Sequence, residues 1–246
     1  MLRPAALLGA AIIVSTAAAG PPKLRETCLR PAERAAAVSF AAGDGAKLVG
    51  VLLGRGPHGV VLAHEKYADL CSWLPYGRTL VARGYRVLAF DLRGFGSSAR
   101  APDKAAYRYD RDVVAAAKLL RQRGVTRVVM IGGSIGGAAV VVGATAITPA
   151  VAGVVGVSAP AADADVNALS AVRKLRVPIL LVNGARDALV PLSDARRLYR
   201  AAASREKRLV IIASGSHGSG LLSGGDAAAR RARGALDEFV DVRLRG

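Results

Sequence analysis

Residues 128–131 (Val-Val-Met-Ile) and 179–182 (Ile-Leu-Leu-Val) carry no polar side chain. A strand with one face in water alternates apolar and polar residues, whereas a strand covered on both faces need not. Short apolar runs bounded by turn signals read as such buried strands. Around them strand-like and helix-like segments alternate. Residues 59–63, 85–91, 127–131, 151–157, 177–182 and 208–213 read as strands; 73–83, 110–123, 135–146, 193–203 and 226–240 read as helices. In helix 110–123, Val113, Val114, Ala117 and Leu120 share one face, and Gly124 ends it. Ser193 is placed to cap helix 193–203. This order predicts the α/β class, a mostly parallel sheet with helices on both faces. Residues 36–40 and 47–53, joined through Gly43-Asp44-Gly45, predict an antiparallel hairpin at the sheet edge.

The 246 residues suit one domain, and 52 % apolar content argues against a disordered chain. The N-terminus has the pattern of an export signal. Met1-Leu2-Arg3 is positive, residues 5–14 are apolar, and Ala17-Ala18-Ala19 offers a small-residue cleavage site. The expected division is a signal at 1–19 and a single domain at 20–246. The apolar stretch is shorter than the ~20 residues of a spanning helix; uncleaved, it would serve as an anchor. In an exported protein the even pair Cys28 and Cys71 suggests one disulfide; the alternative is two unrelated thiols.

A formal charge of +17 makes nucleic acid the first partner to consider. The basic residues are scattered singly, however, with no zinc-finger spacing, RNA-binding signature or basic–aromatic repeat. This pattern favours an Arg-rich solvated surface with weak attraction to anionic envelope polymers or lipids. Three His and two Cys show no metal-ligand spacing. The glycines at 132–137 do not form G-x-G-x-x-G, and no Walker lysine follows them. No cofactor or metal is expected.

The chemistry starts from Gly132-Gly133-Ser134-Ile135-Gly136, a G-x-S-x-G segment between a strand and a helix. A serine on a tight turn needs small neighbours, here Gly132 and Gly136, and the following helix points free N–H groups at it. Ile135 N–H is the natural oxyanion donor. A serine hydroxyl needs a base. Of His58, His64 and His217, only His217 follows a late strand, in the polar loop Ser214-Gly215-Ser216-His217-Gly218. The acid orienting it is expected at Asp187, just past strand 177–182, with Asp163 and Asp165 as alternatives and Asp194 as a weaker one.

The order Ser134, Asp187, His217 resembles the triad of the α/β-hydrolase fold, and the match spans almost the whole of 20–246. Asp91-Leu92-Arg93-Gly94-Phe95-Gly96-Ser97-Ser98 is similar to the D-x-R-G-x-G-x-S loop of many such hydrolases, which implies a structural Asp91. Where many members have His-Gly, this chain has His64-Glu65-Lys66-Tyr67, which resembles the loop of dienelactone hydrolase-like proteins. That likeness implies Lys66 N–H as second oxyanion donor, or else Glu65 N–H, and allows Glu65 to contact the nucleophile. The other reading of Glu65 is a surface carboxylate paired with an Arg. His64 is expected to shape the loop, and the Lys66 and Tyr67 side chains to line the pocket. Residues 158–176 leave little room for a lid domain. The resemblance implies a serine hydrolase of small or medium carboxylic esters, working through an acyl-enzyme. Peptidase, thioesterase or acyltransferase chemistry would use the same residues, and a non-catalytic binding protein could keep the fold.

Overall fold

In chain order the strands are β1 (Ala37–Ala41), β2 (Lys47–Leu53), β3 (His58–Ala63), β4 (Arg86–Phe90), β5 (Arg127–Gly133), β6 (Gly153–Val157), β7 (Ile179–Gly184) and β8 (Lys207–Ile212). They form one sheet in the order β1-β2-β4-β3-β5-β6-β7-β8. The expected hairpin forms, with β1 antiparallel to β2 at the sheet edge, and β2 antiparallel to β4. Every other pairing is parallel. The structure is a computed structural model that describes residues 22–100, 107–163 and 166–246. The expected signal at 1–19 and the candidate Asp165 lie outside the described residues.

The unbroken apolar runs have the anticipated cause. Along β5, Val128 and Met130 pack into one core, and Val129 and Ile131 into the other. The first core is closed by α3 (Tyr109–Gln122), α4 (Ile135–Ala144), α5 (Ala168–Val172) and α6 (Leu192–Ala201). The second lies under α2 (Leu74–Ala82) and α7 (Ala227–Arg245). The connection from β6 to β7 holds only α5 among its described residues, so no lid domain stands there.

Three local expectations change. Ser193 does not cap α6; the helix starts one residue earlier, and its N-cap, Pro191, makes no side-chain cap bond. The strand expected at 151–157 begins at Gly153. The last helix runs on to Arg245, with Asp226 as its N-cap accepting the Ala229 N–H.

The lead-in before the hairpin is the larger surprise. It folds into α1 (Pro31–Ala35), with Leu24, Glu26, Leu29 and Glu33 buried. Arg34 donates to the Leu24 and Glu26 carbonyls, and Arg78 on α2 forms an ion pair with Glu33. Cys28 and Cys71 are joined as a disulfide with Cα atoms 5.8 Å apart.

Candidate active site

In an open parallel sheet the loops after the strand carboxyl ends gather at one edge, where ligands bind. Here that edge collects His64 after β3, Ser134 after β5, Ser158 after β6, Asp187 after β7 and His217 after β8.

Ser134 alone separates β5 from α4 and adopts φ 50°, ψ −121°. Left-handed backbone is unfavourable for any residue with a Cβ, so neighbouring structure must impose it. Its N–H donates to Val157 O at 2.8 Å, and its carbonyl accepts the Ala138 N–H at 3.0 Å. A Cβ on Gly132 would collide with the Gly136 backbone. A Cβ on Gly136 would lie 2.5 Å from the carbonyl oxygens of Ala63 and His64. Both glycines therefore admit a close crossing of β3, β5 and the start of α4. Ile135 N–H is the first free donor of α4.

Asp187 and His217 meet as expected. His217 Nδ1 lies 2.9 Å from Asp187 Oδ2 and 3.1 Å from Oδ1. Burial raises the Asp187 pKa, but the Val190 N–H, Ser158 hydroxyl, His217 ring and Leu189 N–H outweigh it and hold the carboxyl below its ordinary value. Asp187 is therefore anionic at neutral pH. With Nδ1–H given to that carboxylate, His217 Nε2 is left as the basic nitrogen. No hydrogen bond joins His217 to Ser134 among the described residues, and catalytic hydrogen bonds are often long before substrate binds.

The two sides are spaced by Glu65. Its carboxylate is buried and sits where a Cβ on Gly133, before Ser134, or on Gly218, after His217, would collide with it. It accepts the Ser219 N–H and the Ser72 hydroxyl, the latter at 2.9 Å. This corrects the surface reading: among the described residues Glu65 pairs with no Arg and instead wedges the Ser134 turn against the His217 loop.

His64 is buried and shapes its loop. Its Nε2 accepts the Leu92 N–H at 2.9 Å, so Nδ1–H donates to Glu65 O at 2.6 Å. Burial pushes its pKa down, keeping the ring neutral. Asp91 is structural too, accepting the Leu70 and Ser97 N–H groups, each at 2.8 Å. Burial, then a hydrogen bond with the Glu26 carboxyl, pushes its pKa up to about 8, so the two acids share a proton. Lys66 and Tyr67 line a cavity of about 970 Å³ together with Ile135.

Asp163 faces that cavity and does not approach His217 through any hydrogen bond, while Asp194 accepts the Ala161 N–H at 2.9 Å. Ser158 was not foreseen. It sits at φ 49°, and its hydroxyl accepts the Gly218 N–H at 3.1 Å while bonding Asp187. The one signal in the sequence was a polar residue directly after the apolar strand ending at Val157.

Residues 58–175 match the alpha/beta hydrolase fold family, and residues 163–219 match the serine aminopeptidase S33 family. An esterase of Pyrococcus furiosus superposes with a TM-score of 0.76 at 18 % identity, covering 92 % of this chain and 98 % of that one. The esterase domain of a Rhodothermus marinus protein gives a TM-score of 0.66 at 26 % identity, covering 85 % and 99 %. The uncharacterized protein YfhR of Escherichia coli K12 is 28 % identical over 211 residues, covering 74 % of this chain and 73 % of its own.

Proposed function

We propose that this protein, which has the α/β-hydrolase fold, is an exported serine hydrolase that cleaves small or medium carboxylic esters. The observation that carries the reading is Ser134 on its strained turn, set by one buried carboxylate against a histidine already paired with an ionised aspartate.

Ser134 Oγ attacks the ester carbonyl carbon while His217 Nε2 takes its proton. Asp187 stabilises the resulting imidazolium. The carbonyl oxygen becomes an oxyanion facing the N–H groups of Ile135 and Lys66, whose hydrogen bonds are typically worth ~2.7–4 kcal/mol per donor. The tetrahedral intermediate collapses, the C–O bond breaks, and His217 returns the proton to the departing alcohol. Water, deprotonated by His217, then releases the acid from Ser134. Export through residues 1–19, with cleavage before Gly20, accords with the Cys28–Cys71 disulfide, because such bonds persist in oxidising compartments.

Labelling by a fluorophosphonate probe tests this. The wild type is expected to label and to hydrolyse a short-chain ester, and Ser134→Ala to do neither while staying folded. A folded, unlabelled wild type would leave a non-catalytic binding protein. The match of residues 163–219 favours peptide hydrolysis as the second reading. Faster cleavage of aminoacyl 4-nitroanilides than of matched esters would select it.

A further inference from the structure

The cavity beside Ile135 and Lys66 is unlike the rest of the molecule. The chain has only four Phe, six Tyr and one Trp. Tyr67, Phe95, Tyr107 and Tyr109 all line this one cavity. They form a continuous series. Tyr67 meets Phe95 edge-on at 6.5 Å between centroids, Phe95 lies 6.2 Å from Tyr109, and Tyr109 stacks on Tyr107 at 5.6 Å. Tyr67 is the telling member. It is 88 % exposed and sits at φ 62°, an unfavourable backbone for a bulky residue, and beyond the Phe95 edge and the Lys66 ammonium, 5.6 Å from its centroid, most of its ring faces solvent. A planar ligand would cover that ring.

Charge adds a second, separate observation. Arg25, Lys66 and Arg100 edge the same cavity, and none of them forms an ion pair among the described residues. Elsewhere Arg78, Arg83, Arg93 and Arg108 are each paired with a carboxylate, while Arg205 and Arg231, far along the chain from the cavity residues, form no ion pair among the described residues and serve as matched controls. Of the two acids at the cavity, Asp69 already accepts the Cys71 N–H at 2.8 Å, and Asp163 is the other.

We infer that the ester this site takes carries an aromatic ring bearing a carboxylate, on either side of the scissile bond. The ring lies along Phe95 and Tyr107, which the buried Tyr109 backs, and the carboxylate reaches Arg25 and Arg100, whose guanidinium groups suit planar anions. This inference rests on the ester-hydrolase reading.

The test compares kcat/KM of the full chain for benzyl acetate against cyclohexylmethyl acetate, and for ethyl phenylacetate against ethyl cyclohexylacetate. Each pair differs in the ring and hardly in carbonyl reactivity. The aromatic member of at least one pair should react about five-fold better. A para-carboxylate on it should add about three-fold at low ionic strength and lose that gain in about 0.5 M salt. R25Q/R100Q should abolish the carboxylate gain. R205Q/R231Q, which removes as much charge elsewhere, should keep it. Equal rates within both pairs overturn the inference, as does a carboxylate gain that survives R25Q/R100Q or falls equally in R205Q/R231Q. Cleavage of ethyl acetate without these preferences sinks this inference alone; no cleavage and no fluorophosphonate labelling sink the hydrolase reading. Calorimetry on Ser134→Ala with 4-(hydroxymethyl)benzoate and its cyclohexane counterpart reads the cavity without turnover. Tighter binding of the aromatic acid supports the inference, and equal or absent binding overturns it.

Discussion

The two walls of the site are built by different rules. On one, Ser134 follows β5 directly and Asp187 and His217 lie in the loops after β7 and β8, and near neighbours take a large part in each turn: Ala138 N–H on the Ser134 carbonyl, Leu189 and Val190 N–H on Asp187, and Gly220 N–H on the His217 carbonyl. On the other, residues 64–72 are held by groups remote in the chain: Leu92 on His64, Ser219 on Glu65, Asp91 on Leu70 and Cys28 on Cys71. In the reaction proposed above, the first wall supplies the reacting groups. In that reaction the second would set where the oxyanion and the rest of the substrate lie, and it depends on several distant segments being in place together.

The sharpest way to break this contrast is Asp187→Asn. It should cut kcat for ester hydrolysis by about 10⁴-fold, because the ring of His217 loses the carboxylate that fixes its tautomer. A loss below about ten-fold would move the acid's role to Asp163. On the remote wall, Cys28→Ser with Cys71→Ser opens a link spanning 43 residues. The expected cost is about 4 kcal/mol. Calorimetry should show a melting temperature lower by on the order of 10 °C. An unchanged melting temperature would mean the lead-in is held by Arg34 and Arg78 alone.

Glu65→Gln probes the join between the walls. A carboxylate accepts both the Ser72 hydroxyl and the Ser219 N–H, whereas an amide must turn its NH₂ toward one of them. We expect kcat to fall about ten-fold or more with KM little changed, since binding is spared and alignment is not. A rise in KM alone would make Glu65 part of the substrate pocket instead.

The mildest effect is on stability against pH. Asp91 is pushed up to about 8 in the folded chain, and Asp112, buried beside Arg93, up to about 6. Each holds a proton that the unfolded chain releases near pH 4. Their contribution is therefore present in acid and lost as pH rises from about 4 to 8. Glu26, held below its ordinary value, opposes this in part. The melting temperature should fall by on the order of 5 °C between pH 5 and 9. Asp91→Asn should flatten the curve, and an equally steep curve in that variant would discount the shared proton.

The same contrast explains what could be read from the sequence. The alternation of apolar runs and amphipathic segments made the sheet and its hairpin legible, because periodicity records which faces are buried. The elbow, Asp187 and His217 were legible because glycines and a lone polar residue after a strand act locally. Glu65 was not, since its partners Ser72 and Ser219 become neighbours only after folding. The packing of the segment 22–35 was not legible either, because four buried residues spread over fourteen leave no period to detect. Ser158 was hidden differently: a serine after a strand is common, and its hydroxyl finds its partners, Asp187 and the Gly218 N–H, only once two later loops are in place.

The strand β5 also orients the molecule on a support. Ser134 leaves its carboxyl end, while Arg127 at its start donates to the Gly246 carbonyl at 2.6 Å. Seven residues of strand put roughly 20 Å between the two. A chain fixed to a bead through the end of α7 would face its cavity toward the solution. One tethered through the lead-in, whose Arg25 edges that cavity, would have the linker lying across its own entrance.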